Sequence, residues 1–272
     1  MIDVKVLAFD MDGTLLNSEK MVSRGTSLEL ERLSESGIEI VLSSGRLHKS
    51  IEAYAKILPF KTSIVATNGS VVTDSEGRRV YEKPIDTDAF IKVVNLLYDY
   101  KMNFHFYGVN EFYRLKGTTS LNTYSRVPKN IKDTIEIIEY NNIGELRDSC
   151  ESNSYFKVLL VEEDESYLEE IRTELKKIDG VKISSSWSNN IEIVPDGVNK
   201  AKSLKYLCKN LGLSLDNLMS FGDNNNDIEM IEESKVGVAM SNATNELKQK
   251  ADFITDYDND HDGIMKFLKQ YF

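Results

Sequence analysis

Three short apolar runs near the start of the chain restrict its fold more than any other feature. Residues 4–9, 38–42 and 64–66 are too short for buried helices. They end in Asp10, in Ser43-Ser44-Gly45-Arg46 and in Thr67-Asn68-Gly69. Between them the spacing becomes helical. Ser23 can cap a helix that carries Leu28, Leu30 and Leu33 and stops before Gly37. Leu47, Ile51, Tyr54, Ala55 and Leu58 recur at the period of a second helix. Strand, helix, strand, helix, strand predicts a parallel sheet with crossover helices, a Rossmann-like α/β core. Such sheets bind ligands beyond the carboxyl ends of their strands, where these polar residues fall.

The texture changes near Pro84. Residues 71–73 and 79–83 read as a hairpin around Asp74-Ser75-Glu76-Gly77. A helix is predicted over 87–100, then aromatic-rich strands over 103–107, 111–115, 134–139 and 155–161, and an amphipathic helix over 165–177. Antiparallel-looking strands mixed with helices predict a separate α+β module. Alternating strand and helix character returns at Ile191. Strands are expected over 191–194, 218–221 and 236–239, with a helix over 200–211, a short one near 228–231, and a last one from about Asp262. The expected organisation is therefore one domain from residues 1–83 and 187–272, with residues 84–186 inserted.

Charge narrows the range of partners. With 33 Lys and Arg against 44 Asp and Glu, the net charge is −11. An acidic surface repels nucleic acid and anionic membrane, so neither is expected as a partner. The same field repels a phosphorylated ligand, so any phosphate site needs a metal or a placed Lys or Arg. No apolar run approaches the roughly 20 residues that span a bilayer. The first residues lack the basic start and long apolar stretch of a signal peptide. Cys150 and Cys208 have no metal-ligand spacing and read as reduced thiols. The chain is expected to be cytoplasmic.

Four polar clusters at predicted strand or helix ends carry the chemistry. In Asp10-Met11-Asp12-Gly13-Thr14-Leu15 two carboxylates straddle a strand end. An ionised carboxylate there can attack phosphorus and hold Mg²⁺, and its neighbour can protonate a leaving oxygen and later activate water. Ser44-Gly45-Arg46 offers a hydroxyl and a backbone N–H at a helix start for an anionic oxygen. Lys200 opens a helix after Gly197-Val198-Asn199, where a cation opposes the macrodipole unless an anion lies beside it. In Gly222-Asp223-Asn224-Asn225-Asn226-Asp227, Asp223 can complete a metal site and Asn226 can donate to phosphate. Asp227 can orient Lys200 or the metal shell from behind. Taken singly, each cluster also reads as ordinary structure: an Asp-Gly turn, a serine cap, a solvated lysine, a polar loop. A calcium loop of the EF-hand kind does not fit the last, because no Glu stands at its twelfth position.

With these clusters in order, the sequence strongly resembles the haloacid dehalogenase-like hydrolases, and within them the Cof-type phosphatases. The D-x-D-G-T-L start, the S-G-R turn, Lys200 in Gly-Val-Asn-Lys and the G-D-x-x-N-D-x-x-M run ending at Met230 match the family's four motifs. Asn68-Gly69, Gly237-Val238-Ala239-Met240 and Asp262-Gly263 extend the match over the whole chain. The resemblance implies that Asp10 forms an aspartyl-phosphate and binds Mg²⁺. It implies that Asp12 is the general acid/base with its carbonyl on the metal, and that Asp223 is the third protein ligand. Met11 (through its backbone N–H), Ser44, Gly45, Lys200 and Asn226 are then the phosphate contacts. The inserted module is implied to be a cap that selects the substrate. Two departures are small: Ser44 stands where the family often has Thr, and Ala201 where Gly is frequent.

Asp12 also separates reaction classes, since transport ATPases of this superfamily have Thr there and keep their phospho-intermediate. Hydrolysis of small phosphorylated metabolites is expected, with sugar phosphates, pyridoxal phosphate and flavin mononucleotide as candidates. The alternatives are a hexose phosphate mutase and a non-catalytic binding protein. A monomer or weak homodimer is expected. In the inserted module Phe104, His105, Phe106, Tyr107, Tyr113, Arg114, Tyr124 and Arg126 are candidate substrate contacts, although strand aromatics are more often core. Alternation with Phe104 and Phe106 turns His105 away from their packing, and a satisfied surface or core histidine is the equal alternative. His48 and His261 show no partner in the sequence, and Trp187 reads as packing.

Overall fold

The computed structural model describes residues 3–118, 128–185 and 189–272. Tyr124, Arg126 and Trp187 lie outside the described residues. The described chain gathers into two compact units. The first comprises the described parts of Met1–Arg46, Ile51–Glu82 and Asn199–Phe272, and the second those of Leu47–Ser50 and Lys83–Val198.

The first unit is built on an eight-stranded sheet. Its strands are β1 (Val6–Phe9), β2 (Glu39–Ser43), β3 (Ser63–Ala66), β4 (Val71–Thr73), β5 (Arg79–Glu82), β12 (Leu218–Gly222), β13 (Val236–Ala239) and β14 (Phe253–Ile254). Their order is β14-β13-β12-β1-β2-β3-β4-β5. The six from β14 to β3 run parallel, and β4 and β5 close the sheet as an antiparallel hairpin. β1 is central, and Val6, Leu7, Ala8 and Phe9 are all wholly buried, as a strand covered on both faces requires. Helix α1 (Arg24–Glu35) starts at Ser23, whose hydroxyl accepts from the Thr26 N–H, and buries Leu30 and Leu33. Leu28, expected on that buried face, is exposed. Helix α2 (His48–Ala55), whose residues from Ile51 onward belong to this unit, begins beyond Ser44-Gly45-Arg46, so the expected helix start at Ser44 is a turn instead. Helix α7 (Lys200–Asn210) is capped by the Asn199 side chain and packs Leu204, Leu207 and Cys208 into a core with Val6, Ala8, Val41 and Leu218. Helices α8 (Ile228–Glu233), α9 (Asn245–Lys250) and α10 (Gly263–Tyr271) complete this unit.

The second unit holds a six-stranded sheet. Its strands are β6 (Phe104–Tyr107), β7 (Glu111–Leu115), β8 (Glu136–Tyr140), β9 (Lys157–Val161), β10 (Val181–Ser184) and β11 (Asn190–Pro195), in the order β10-β11-β9-β6-β7-β8. One pair departs from the antiparallel expectation: β7 and β8 run parallel. A larger correction concerns residues 191–194, which were expected to restart the parallel core. They lie in β11, which pairs antiparallel with both β9 and β10. The expected junction at 186–187 therefore precedes a strand that belongs to the second sheet, and Val198 is the last residue of this unit. At the ends of the unit, the Lys83 ammonium donates to the Asp196 carbonyl at 2.7 Å.

Alternation divides the two faces of this sheet. Phe104, Phe106, Val158, Leu160, Ile191 and Ile193 join a core with α3 (Thr87–Asp99), α5 (Ile143–Ser149) and α6 (Glu165–Leu175), while α4 (Lys129–Lys132) is a single helical turn that buries Ile131. α5 was not anticipated from the sequence. His105 lies on the opposite face, as its alternation with Phe104 and Phe106 predicts, and it is wholly buried there against the Phe112 ring at 4.4 Å. The same face carries Lys157 and Glu192, paired at 2.9 Å. Cys150 and Cys208 are both buried free thiols.

Candidate active site

Parallel β12, β1 and β2 are neighbours, so their carboxyl ends deliver three residues to one edge: Asp223, Asp10 and Ser44. Asp10 is fixed to the sheet by its N–H, which donates to the Phe221 carbonyl at 2.9 Å. Beyond it the chain turns back at once. Leu15 N–H donates to the Asp10 carbonyl at 3.1 Å, and Leu16 N–H to the Met11 carbonyl at 2.8 Å. Gly13 makes the turn possible with φ of +90°, and a Cβ there would stand 2.5 Å from Asp223 Oδ2. No other residue fits without displacing that carboxylate. The neighbouring Thr14 hydroxyl donates to Asp223 Oδ1 at 2.8 Å.

Lys200, at the first position of α7, is 1% exposed. Its ammonium donates to Asp10 Oδ1 at 2.5 Å and to Asp227 Oδ1 at 2.6 Å. The other oxygen of Asp227 accepts the backbone N–H groups of Asp223 and Asn224, both at 3.1 Å. Asp227 is thus committed to holding Lys200 and the Asp223 turn. Asn226 lies beside it and donates to Asn68 Oδ1 at 3.5 Å. Asn68 follows β3 in a segment where Thr67, Asn68 and Gly69 all have positive φ. Thr67 is β-branched and pays a strain cost there of about 1–3 kcal/mol. Backbone bonds hold the strain in place: Thr67 N–H donates to the Arg46 carbonyl at 3.0 Å and Asn68 N–H to the Ser44 carbonyl at 3.1 Å.

Ser44 is buried and its own N–H is taken by the Val65 carbonyl at 2.8 Å. The Ser44 hydroxyl oxygen accepts from the Arg46 N–H at 3.3 Å, so its proton points elsewhere. Asp12 meets a different environment from Asp10. Arg46 donates to its Oδ2 from Nε at 2.5 Å and to its Oδ1 from Nη2 at 2.7 Å, and Lys20 Nζ donates to Oδ1 at 2.7 Å.

The charges follow from these contacts. Burial pushes the Asp10 carboxyl well above its usual range; Lys200 opposes that, while Asp227 and Asp223 add to it. Burial, with help from Asp227, pushes Asp223 up to about 6. Burial would lower Lys200, but the Asp10 and Asp227 carboxylates outweigh it and raise it. Burial would also raise Asp12, but hydrogen bonds and charge from Arg46, and then Lys20, hold it well below the usual carboxylate range.

Asp10, Asp223 and Asp227 bring carboxylate oxygens within 4.8 Å of one another, a group able to hold a metal ion. Three carboxylates face one ammonium, so the cluster lacks positive charge, and its all-oxygen donor set suits a hard divalent cation such as Mg²⁺. Asp12 adds no carboxylate oxygen to this group; its expected metal contact is through its carbonyl. The structure brings the expected Asp10, Lys200, Asp223 and Asp227 together, with Asn226 beside them. Sequence reasoning assigns no role to Thr14, to Arg46 and Lys20, which bind Asp12, or to Tyr54, which contacts both of those cations. Thr14 had a signal, the D-x-D-G-T string itself. Lys20 had none.

An α/β core with a carboxylate at the end of its central strand, a buried lysine beside it and a second acidic turn on the adjacent strand defines a hydrolase class. The family profile of the haloacid dehalogenase-like hydrolases matches residues 7–268. The chain is 31% identical over 270 residues to the 5-amino-6-(5-phospho-D-ribitylamino)uracil phosphatase YcsE of Bacillus subtilis, covering 99% of this chain and 96% of that protein. It is 26% identical over 271 residues to the pyridoxal phosphate phosphatase YbhA of Escherichia coli, covering 97% of each. A solved haloacid dehalogenase-like hydrolase of B. subtilis aligns with a TM-score of 0.88 at 27% identity, covering 98% of this chain and all of that one. The chain belongs to the haloacid dehalogenase-like hydrolases, in their Cof-type branch, and it is a phosphatase.

Proposed function

We propose that this phosphatase hydrolyses small phosphorylated metabolites through an aspartyl-phosphate on Asp10, with Mg²⁺ bound by Asp10, the Asp12 carbonyl and Asp223. The observation that carries the reading is Asp10 itself, 6% exposed at the end of the central strand and held by Lys200 at 2.5 Å. Bound Mg²⁺ supplies positive charge to a cluster that has too little and screens the phosphoryl oxygens from Asp10.

The protein groups divide the remaining work. Asp10 attacks phosphorus while the leaving oxygen takes a proton from Asp12. A water then attacks phosphorus, its proton passes to Asp12, and the bond to Asp10 breaks to restore the carboxylate. Lys200 keeps Asp10 oriented, favours its ionised form against the effect of burial, and balances the incoming phosphoryl charge. The Ser44 hydroxyl, the N–H groups of Met11 and Gly45, and the Asn226 amide hold phosphoryl oxygens. Asp227 fixes Lys200 from behind. This reading assigns catalysis to the first unit and substrate choice to the second. The named substrates of the similar B. subtilis and E. coli enzymes, a phosphoribityl compound and pyridoxal phosphate, point to phosphomonoesters of modest size. Sugar phosphates and flavin mononucleotide belong to the same group.

Release of inorganic phosphate from a panel of such compounds with Mg²⁺ present is the direct measurement. Asp10→Asn is expected to lose turnover by about 10³-fold or more while keeping its fold. Wild-type turnover in Asp10→Asn, with circular dichroism unchanged, would falsify the assignment of the nucleophile.

A further inference from the structure

The surroundings of Asp12 exceed what an ordinary ion pair needs. Two cations converge on one carboxylate, while at Lys200 a single ammonium bonds two carboxylates, Asp10 and Asp227, with Asp223 close by. Arg46 alone, with its two-pronged contact, would satisfy the charge of Asp12. Lys20 joins it from a costly backbone conformation, a non-glycine residue at φ of +59°. A closed turn imposes that conformation. Asn17 N–H donates to the Met21 carbonyl at 2.9 Å, Lys20 N–H donates to the Asn17 carbonyl at 2.9 Å, and Asn17 Oδ1 accepts the N–H groups of Glu19 and Met21 at 3.1 and 2.9 Å.

One residue supports both cations. Tyr54 on α2 is 1% exposed. Its hydroxyl donates to the Lys20 carbonyl at 3.1 Å, and its ring lies 5.3 Å from the Arg46 guanidinium carbon. The ring face attracts that cation, and the hydroxyl pins the strained turn that aims Lys20. Lys20, Arg46 and Tyr54 are separated in sequence, yet the first two bind the same carboxylate and Tyr54 acts on it through both.

The contacts do not treat the two oxygens of Asp12 alike. Oδ1 accepts twice, from Lys20 and from Arg46, which fills its usual hydrogen-bonding capacity. Oδ2 accepts once, from Arg46 Nε, and retains capacity for another partner. Neither guanidinium nor ammonium can accept a hydrogen bond, so a proton on Asp12 finds room at Oδ2 and not at Oδ1.

We propose that Lys20, Arg46 and Tyr54 are positioning residues that immobilise Asp12 by Oδ1 and reserve Oδ2 as the oxygen that exchanges the proton. This rests on the reading of Asp12 as the acid/base of a phosphatase. In the first half-reaction the proton leaves Oδ2 for the departing oxygen as the Asp10–phosphorus bond forms and the ester bond breaks. In the second the water oxygen bonds to phosphorus, its proton goes to Oδ2, and the Asp10–phosphorus bond breaks with its electron pair returning to Asp10. Lys20 and Tyr54 touch none of the reacting atoms in this scheme, and Arg46 touches only Oδ2, whose direction its Nε–H fixes. They fix where Oδ2 points.

The test is steady-state kinetics of the full chain with Mg²⁺ and an aryl phosphate, for Lys20→Met, Arg46→Met, Arg46→Lys and Tyr54→Phe. Lys20→Met and Arg46→Met are expected to lower kcat by about 10- to 100-fold with KM within about threefold, since orientation of a proton-transfer group is worth that order. Arg46→Lys, which keeps the charge and loses the fork, should fall between Arg46→Met and the wild type. Tyr54→Phe removes only the hydroxyl; it should lower kcat while unfolding as the wild type does, which separates positioning from folding even if the charge variants fold poorly. A rise in KM at unchanged kcat in Arg46→Met would instead make Arg46 a substrate contact and overturn the proposal. Wild-type constants in Tyr54→Phe and Lys20→Met would overturn it too. Failure of the phosphatase reading looks different: the wild type itself would release no phosphate.

Discussion

Lys200 in the first unit and Lys157 in the second are both almost wholly removed from solvent, at 1% and 2% exposure, and both meet carboxylates. The settings differ. Lys200 stands among Asp10, Asp223 and Asp227, whose oxygens crowd within 4.8 Å. Lys157 pairs with Glu192 across the neighbouring strands β9 and β11, with the Tyr107 ring 5.6 Å from its ammonium. Burying a charge is costly wherever it occurs, and a matched pair recovers part of that cost. A cluster with surplus carboxylates does not. On the proposed function, that surplus is what a further cation and a phosphoryl group would answer. The imbalance of charge, more than the burial, marks where chemistry takes place.

The comparison breaks most clearly by removing each lysine. Lys200→Met and Lys157→Met should each cost about 3–5 kcal/mol, because each leaves buried carboxylate behind. Their catalytic outcomes should diverge. Lys200→Met is expected to lower turnover of an aryl phosphate by about 10²-fold or more, whereas Lys157→Met changes kcat little. Replacing both members of the second pair, in Lys157→Met with Glu192→Leu, should restore most of the lost stability, as measured by urea unfolding. Equal losses of kcat in the two single variants would show that the imbalance has no catalytic meaning.

A divalent cation sharpens the same contrast. At about a hundredfold excess over its dissociation constant, Mg²⁺ should stabilise the wild type by about 2.7 kcal/mol. Asp223→Asn should lose most of that gain, while Lys157→Met keeps it. Turnover should cease with a chelator and return with Mg²⁺. A melting temperature that ignores Mg²⁺ in the wild type would remove the metal from the site.

The smallest effect concerns acid and the second unit. Burial, with the nearby Lys157 ammonium, lowers His105 from 6.5 to about 3. The unfolded chain therefore takes up this proton near pH 6.5 and the folded chain resists it until about pH 3. His105 contributes its full stabilisation above the unfolded value, and that contribution declines as pH falls through the window. Between pH 7 and 5 the wild type should lose about 2 kcal/mol more than His105→Phe does. Parallel pH curves for the two proteins would mean that His105 is not held neutral by the fold.

Much of the first unit was legible because its information is local. A short apolar run with a polar end reads as a buried parallel strand, and β1, β2, β3, β12 and β13 each have that form. β11 shows the limit. Ile191 and Ile193 alternate with Glu192 and precede a helix, so the segment looks like another core strand, yet its partners are β9 and β10. Pairing is a property of distant segments and leaves no local trace. The same holds at the site. Asp10, Lys200 and Asp223 were legible because each lies in a recognisable string at an element's end. The Arg46 contact spans 34 positions from Asp12, and the Tyr54 bond to Lys20 spans another 34. Such convergence exists only in three dimensions.

The bond from Lys83 to the Asp196 carbonyl has a practical meaning for the second unit. The stretch that begins at Lys83 starts and finishes at nearly the same point, so it is topologically a closed petal on the chain. Joining its neighbours by a few linker residues would demand little loop-closure entropy. Such a segment could be lost, lengthened or exchanged between genes without rethreading the sheet that holds Asp10. Under the proposed function, substrate range would then drift by module replacement while the phosphorus chemistry stayed fixed.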